Sequence, residues 1–152
     1  MMVNLDLKLT CAIARSTHLL GDKWSLLILR DILLHKKSRF KEFMESKEKI
    51  ATNILTNRIK SLTDADLIVL LDRNSTKKSR QYIATQKGIS TLPIILELYM
   101  FSIKDINESV LNDQQIQIKK QIMSNSKNFM NSKRIDYMAF KEDLLSKVIE
   151  HK

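Results

Sequence analysis

Residues 38–62 of the chain read SRFKEFMESKEKIATNILTNRIKSL, and this stretch decides the fold. Phe40, Phe43 and Met44 recur at helical spacing, and a second helix is predicted over residues 51–62, after a short polar stretch. The apolar positions of the second helix form one stripe, and its opposite face carries Thr, Asn and Lys side chains. Two short helices joined by a tight polar turn are typical of a helix-turn-helix.

The residues after these two helices predict a β-hairpin. Residues 67–71 (LIVLL) and 80–84 (RQYIA) have the composition of strands, and the polar, basic stretch 72–80 forms the tip, or wing. Helices followed by a hairpin with a basic tip indicate a winged helix-turn-helix. We therefore predict a mainly α fold with a small β-hairpin, which belongs to the α+β class.

Upstream of this stretch, the pattern predicts two further helices. The first covers residues 11–20 and is ended by Gly21, and Asp22 is positioned to cap the second, over residues 23–34. The second helix is apolar on nearly every face, which places it in the middle of the core. Ser38 is predicted to cap the helix that follows it.

Downstream of the hairpin, Thr85 is the predicted cap of one long helix whose apolar positions continue to Val110. Pro93 is expected to kink its early turns. Residues 113–152 are predicted to form one or two amphipathic helices that need a partner surface. The sequence thus divides into a winged helix-turn-helix and dimerisation domain at 1–112 and a helical C-terminal extension at 113–152.

The composition excludes several other classes of protein. The chain has 152 residues, 43% of them apolar, which is enough for one domain with an appendage. Its two glycines lie far apart, which excludes a glycine-rich phosphate loop, and its single cysteine excludes an internal disulfide or a polythiolate metal site. No long apolar span and no signal-peptide pattern is present, so a cytoplasmic protein is expected.

The charge of the chain favours an anionic partner. The formal net charge is +9, and residues 1–100 contain 17 basic and 10 acidic side chains, whereas residues 101–152 contain 9 and 7. Two stretches are enriched further: residues 36–60 contain eight basic and three acidic residues, and residues 72–87 contain five and one. Local basic regions in a small domain are expected of a protein that binds the phosphate backbone.

Two sets of side chains are candidates for DNA contacts. Polar side chains on the outer face of the predicted recognition helix could read bases in the major groove; they are Thr52, Asn53, Thr56 and Asn57. Basic side chains could contact the DNA backbone, or clamp it from the wing; they are Lys36, Lys37, Arg39, Lys41, Arg58, Lys60, Arg73, Lys77, Lys78 and Arg80. The alternative interpretation is a polar, solvated helix face beside a charged hairpin tip.

Cys11 begins a helix, where the helix dipole favours the thiolate and raises its reactivity. It is therefore a candidate redox or electrophile sensor, and the alternative is a small residue without a regulatory role. With one cysteine per chain, the available switches are an intersubunit disulfide, a mixed disulfide or alkylation.

Several short motifs resemble a known family in the order in which they occur. They are Cys11, GDKW at 21–24, LR at 29–30, RFKEF at 39–43, IATNIL at 50–55, RIKSL at 58–62, and YIAT at 82–85 with Gly88. Together they resemble an HxlR-type winged helix-turn-helix transcriptional regulator, a relative of the MarR group, over roughly residues 11–99. The chain departs from the family pattern at Ala12, where proline is usual, at Asp66, where glycine is usual, and at Tyr99, where tryptophan is common.

The resemblance implies a homodimeric bacterial repressor or activator, with the helix after the wing forming much of the dimer interface. It also implies double-stranded DNA with a pseudo-palindromic operator as the partner, repression as the usual consequence, and a sensing role for Cys11. A small-molecule effector is not identified by the sequence.

Other functions find less support. A winged-helix adaptor for protein or RNA is the alternative, but such an interface would be poorer in charge and richer in aromatic residues. No catalytic constellation can be assembled, so an enzyme is not expected, nor is a cofactor. The histidines, His18, His35 and His151, lack the spacing of metal ligands, and Trp24 and Phe40 are expected to pack in the core.

Overall fold

The computed structural model describes residues 10–150. His151 lies outside the described residues, and so does most of the N-terminal stretch in which no signal-peptide pattern was found. The helices are α1 (Ala12–Leu20), α2 (Lys23–His35), α3 (Phe40–Met44), α4 (Thr52–Asp64), α5 (Gln86–Ile89), α6 (Leu92–Ile103), α7 (Asp113–Ser124) and α8 (Ser126–Glu150). Two strands, β1 (Ile68–Leu70) and β2 (Tyr82–Ala84), lie between α4 and α5. The predicted fold class, mainly helical with a small antiparallel hairpin, is confirmed.

Helix α2 lies at the centre of the core, as its apolar pattern predicts. Leu29 and Ile32 are fully buried, and Trp24 packs against the core from its half-buried position. The helix begins where predicted, because the carboxylate of Asp22 accepts a hydrogen bond from the backbone N–H of Ser25 at 2.9 Å.

The predicted cap of α3 is wrong. The hydroxyl of Ser38 instead donates to the side-chain oxygen of Gln81 at 2.8 Å. Arg39 is the residue that precedes the helix, and the carboxylate of Glu42 accepts from the backbone N–H groups of Ser38 and Arg39, at 3.1 and 2.9 Å. The first turn of α3 is therefore stabilised by its own acidic residue, with its anion next to the positive end of the helix.

Strand β2 is the central element of a small hydrogen-bonded layer. Along one edge it pairs with β1 in antiparallel register, with Val69 opposite Ile83. Along its other edge, the N–H of Tyr82 donates to the carbonyl of Ser38 at 2.8 Å, and the N–H of Ala84 donates to the hydroxyl of Tyr137 at 2.7 Å. Both edges of this short strand are thus satisfied, by elements that lie far apart in the sequence.

The prediction of one long helix from Thr85, kinked at Pro93, is also wrong. Thr85 caps only the single-turn helix α5, by accepting from the N–H of Gly88 at 3.1 Å. Pro93 lies in the first turn of α6. A backbone N–H at this position has no acceptor within the helix, so its absence in proline has no cost, and the fixed φ of proline is compatible with a helix. The proline therefore begins a new helix, which ends at Ile103.

The last two helices pack against the rest of the same chain, which supplies the partner surface that their amphipathic patterns require. Helix α8 contacts α2 and α6, and its Tyr137 is 1% exposed within the main core cluster. Whether residues 113–152 form a separate extension stays a prediction, although α8 shares a core with the helix-turn-helix. Among residues 10–150, no helix is long and apolar enough to cross a bilayer.

We expect Tyr137→Phe to lower the free energy of unfolding by about 1–3 kcal/mol, because the buried N–H of Ala84 loses its acceptor while the ring packing is kept. Burial raises the pKa of Tyr137 to about 12. The unfolded state loses the tyrosine proton near its ordinary value of 10.0, so the stability difference between the two proteins should narrow between about pH 10 and pH 12.

Urea titrations of both proteins measure this prediction. Tyr99→Phe is the control, since its hydroxyl makes no hydrogen bond within residues 10–150. Equal stability of Tyr137→Phe and the native protein at neutral pH would contradict the role given to this bond.

Candidate nucleic-acid interface

The outer face of α4 presents the four predicted base-reading residues to solvent. Thr52, Asn53, Thr56 and Asn57 are all exposed, while Leu55, Ile59 and Leu62 on the opposite face are buried. The hydroxyl of Thr56 donates back to the carbonyl of Thr52 at 2.9 Å, and the amide oxygen of Asn57 accepts from Arg58 at 2.7 Å. The side-chain amide of Asn53 makes no hydrogen bond with the described part of the chain, so it is the most available of the four for a base edge.

The wing is built around its first residue, Asp72. The carboxylate of Asp72 accepts from the N–H of Asn74 at 2.9 Å, and its carbonyl accepts from the hydroxyl of Ser75 at 2.6 Å. A 3₁₀ turn, Lys77–Ser79, follows and exposes Lys77 and Lys78. The tip therefore has a defined shape, and its lysine side chains remain free to extend towards a phosphate backbone.

The wing is joined to the helix-turn-helix at its base. Arg39 and Gln81 form an isolated antiparallel bridge, and the Gln81 side chain accepts from the hydroxyl of Ser38. The segment before α3 thus acts as a third, one-residue strand beside β2. Sequence reasoning missed this role for Ser38 and Gln81, because a single bridge leaves no periodic pattern.

A cleft between α4 and the wing brings together residues from both elements. Thr56 and Lys60 of α4 and Lys77 and Arg80 of the wing line this cleft. The Nε atom of Arg80 is buried there and has no hydrogen-bond partner among the described residues. The structure therefore combines one base-reading candidate and three cationic candidates on a single concave surface.

The ten basic side chains predicted to contact the DNA backbone differ in their exposure to solvent. Seven of the ten are exposed: Lys36, Arg39, Lys41, Lys60, Arg73, Lys77 and Lys78. The other three, Lys37, Arg58 and Arg80, are half-buried. Arg58 lies 3.7 Å from the carboxylate of Asp22, so it also contributes to the start of α2.

Lys37 has a structural role that its sequence position does not reveal. Its ammonium lies 3.3 Å from the carboxylate of Asp31 and donates to the hydroxyl of Ser46 at 2.9 Å. Asp31 is 3% exposed and also pairs with Arg30 at 2.7 Å. Asp31 thus holds together the segment that connects α2 to α3. The one sign of this role in the sequence is that Asp31 is an isolated acidic residue within the apolar α2.

The remaining candidates are placed as follows. Cys11 is exposed and lies at the residue before α1, as predicted. His18 lies in α1 and His35 ends α2. Within residues 10–150, no group of three or more His, Cys, Asp or Glu side chains is arranged to hold a metal ion.

Two helices with an exposed Thr/Asn face, beside a basic hairpin, define a winged helix-turn-helix protein. The model of the HxlR-like helix-turn-helix family matches residues 19–110. The chain therefore belongs to this family and is a DNA-binding transcriptional regulator. This confirms the resemblance predicted from the short motifs, and the family and fold together favour a regulator without catalytic activity.

The chain is also similar to several solved structures. The crystal structure of PA1607, a candidate transcription factor, is 28% identical over 69% of this chain and 72% of that chain, with a TM-score of 0.60. PA1374 from Pseudomonas aeruginosa, also a candidate transcription factor, is 33% identical over 68% and 66% of the two chains, with a TM-score of 0.45. A SlyA-like transcription regulator from Listeria monocytogenes is 18% identical over 85% and 83%, with a TM-score of 0.49. No curated protein matches the chain.

Proposed function

We propose that the protein is a cytoplasmic homodimer that binds a pseudo-palindromic operator and represses transcription. In this proposal α4 enters the major groove, and the wing, residues 72–80, contacts the backbone or the minor groove. The observation that carries the proposal is the cleft in which polar residues of α4 and cations of the wing face the same space.

The polar face of α4 is suited to base recognition. The amide of Asn53 can donate to and accept from adenine, and the Thr side chains can bond to bases or pack a methyl group against thymine. A protein-binding adaptor would require an apolar centre on this face, whereas all four residues here are polar and exposed.

An exposed apolar face of α6 supports the homodimer. Ile94, Leu98 and Phe101 are 41%, 47% and 82% exposed, at the three- and four-residue spacing of one helix face, and Met123 of α7 continues the patch. Contiguous exposed apolar surface in a monomer of this size indicates an interaction site. A second copy of the chain would cover this surface and place the two α4 helices at separate half-sites.

Cys11 is the candidate sensor in this proposal. It is exposed beside the N-terminus of α1, so an oxidant, an electrophile or the Cys11 of a second subunit can reach it. Modification of this residue would then alter DNA binding through α1, which packs against α2.

We expect Lys77→Ala with Lys78→Ala to weaken binding evenly to all DNA sequences and to flatten the salt dependence by about two units of slope, because each lysine contacts one phosphate. Titrations of the protein's own promoter fragment and of unrelated DNA, at several salt concentrations, measure both effects. Lys120→Ala with Lys127→Ala is the matched control, since these exposed lysines lie on α7 and α8.

An unchanged salt slope in the wing variant, or an equal loss in the control, would contradict the role of the wing. If the native protein forms no discrete, competitor-resistant DNA complex, the operator-binding proposal fails and an adaptor for protein or RNA is favoured.

We expect Phe101→Glu to raise the dimer dissociation constant by about 100-fold, because it places a charge at the centre of an apolar interface. Sedimentation equilibrium measures this effect. Ile135→Glu is the control, since Ile135 is 67% exposed on α8 and does not line the groove of the α6 face. If Phe101→Glu stays dimeric while Ile135→Glu becomes monomeric, the α6 face is not the dimer interface and the surface around Ile135 is.

We expect diamide to weaken operator binding by the native protein and to leave the Cys11→Ser protein unaffected, because the chain contains no other thiol. A gel shift before and after oxidation, with reversal by a thiol reductant, measures the difference. Unchanged binding by the oxidised native protein would rule out the sensor role.

A further inference from the structure

A cavity of about 560 Å³ lies between α2, α6, α7 and α8. Its volume falls within the range typical of small-molecule sites, and its walls are mainly Leu, Ile, Phe and Met side chains. Two of its four walls, α7 and α8, lie beyond residue 110, where the match to the family model ends. About half of the cavity wall is therefore formed by helices that the family model does not cover.

The cavity has one cation without an ionic partner. Lys133 of α8 is half-buried, and no carboxylate of the described residues lies within ion-pair distance of its ammonium. Its nearest interaction is with the ring of Phe129, 5.3 Å away. Arg30 also lines the cavity, but Asp31 and Glu48 already compensate its charge, at 2.7 and 2.6 Å.

The other polar groups of the wall are neutral. Partial burial lowers the pKa of His35 below its ordinary value, which favours the neutral imidazole. Tyr99 and Gln114 add a hydroxyl and an amide. A half-buried ammonium beside apolar walls, with neutral hydrogen-bonding groups around it, is complementary to an apolar body that bears a single negative charge.

We propose that this cavity binds a small amphipathic anion, an aromatic or alicyclic body with one carboxylate or sulfonate, and that Lys133 is its charge partner. The cavity borders the α6 face proposed for the dimer but extends away from it. Leu98 lines both the cavity and the groove on that face, whereas Ile94 and Phe101 line the groove alone.

Helix α8 connects the cavity to the wing. Phe129 and Lys133 line the cavity, and one turn further on Tyr137 accepts the hydrogen bond from Ala84 of β2. A ligand that holds α8 therefore also acts on the strand that carries the wing. This step, unlike binding itself, rests on the proposed DNA-binding function.

Two fluorescent probes test the site in the full chain. 8-Anilinonaphthalene-1-sulfonate carries one negative charge, and N-phenyl-1-naphthylamine has the same rings without it. We expect one sulfonate probe per chain. Lys133→Met should weaken binding of the sulfonate about tenfold and change binding of the neutral probe by less than about twofold.

Two further variants complete the experiment. Lys127→Met, an exposed lysine on the same helix outside the cavity, should bind both probes as the native protein does. Ile118→Trp, which fills the cavity from α7, should abolish binding of both. Circular dichroism confirms that each variant is folded.

Three results would overturn the proposal. The native protein could show no saturable probe binding, as when a second copy of the chain fills the cavity. Alternatively, Lys133→Met could leave sulfonate binding unchanged, or Lys127→Met could weaken sulfonate binding as much as Lys133→Met does. The saturating sulfonate probe should also shift the affinity for promoter DNA severalfold in the native protein and not in Lys133→Met. Unchanged DNA affinity would overturn the link to the wing. If no DNA complex forms even without probe, the proposed function fails instead, and the binding experiment still tests the cavity.

Discussion

Two hydrogen bonds along the outer edge of β2 join the wing to the helices on either side of it. Strand β2 has only three residues, and a short strand with buried, unpaired N–H groups would not be stable. Ser38 supplies one acceptor from the segment before α3, and Tyr137 supplies the other from α8, which lies 53 residues further along the chain. Together these two bonds fix the wing against the helix-turn-helix on one side and against the C-terminal helix on the other.

A separate set of ion pairs determines which cations are free to bind DNA. Lys37 follows α2 and Arg58 lies within the recognition helix α4, but both pair with carboxylates near the ends of α2. Lys60 on the outer face of α4 and Lys77 of the wing are exposed, and both line the same cleft. Cationic side chains close to the candidate interface therefore differ, since some hold the scaffold and others remain available to an anionic ligand. Counts of basic residues in a sequence do not separate these two roles.

The local parts of the structure could be predicted from the sequence. The buried stripe of α4, the cap at Asp22 and the basic hairpin each depend on residues within a few positions of one another. The errors came from competing local interactions: Glu42 outcompeted Ser38 as the cap of α3, and Pro93 began a helix that it was expected to kink. The bond from Ala84 to Tyr137 could not be predicted, because a tyrosine on an amphipathic helix does not identify its distant partner.

In the proposed complex, α4 and the wing of each of two subunits bind one half-site of a pseudo-palindromic operator. Hydroxyl-radical footprinting of the protein on its own promoter fragment would reveal this arrangement. We expect two protected half-sites related by two-fold symmetry, with centres about one helical turn, 10–10.5 base pairs, apart. A single unpaired footprint, or uniform weak protection along the fragment, would contradict it.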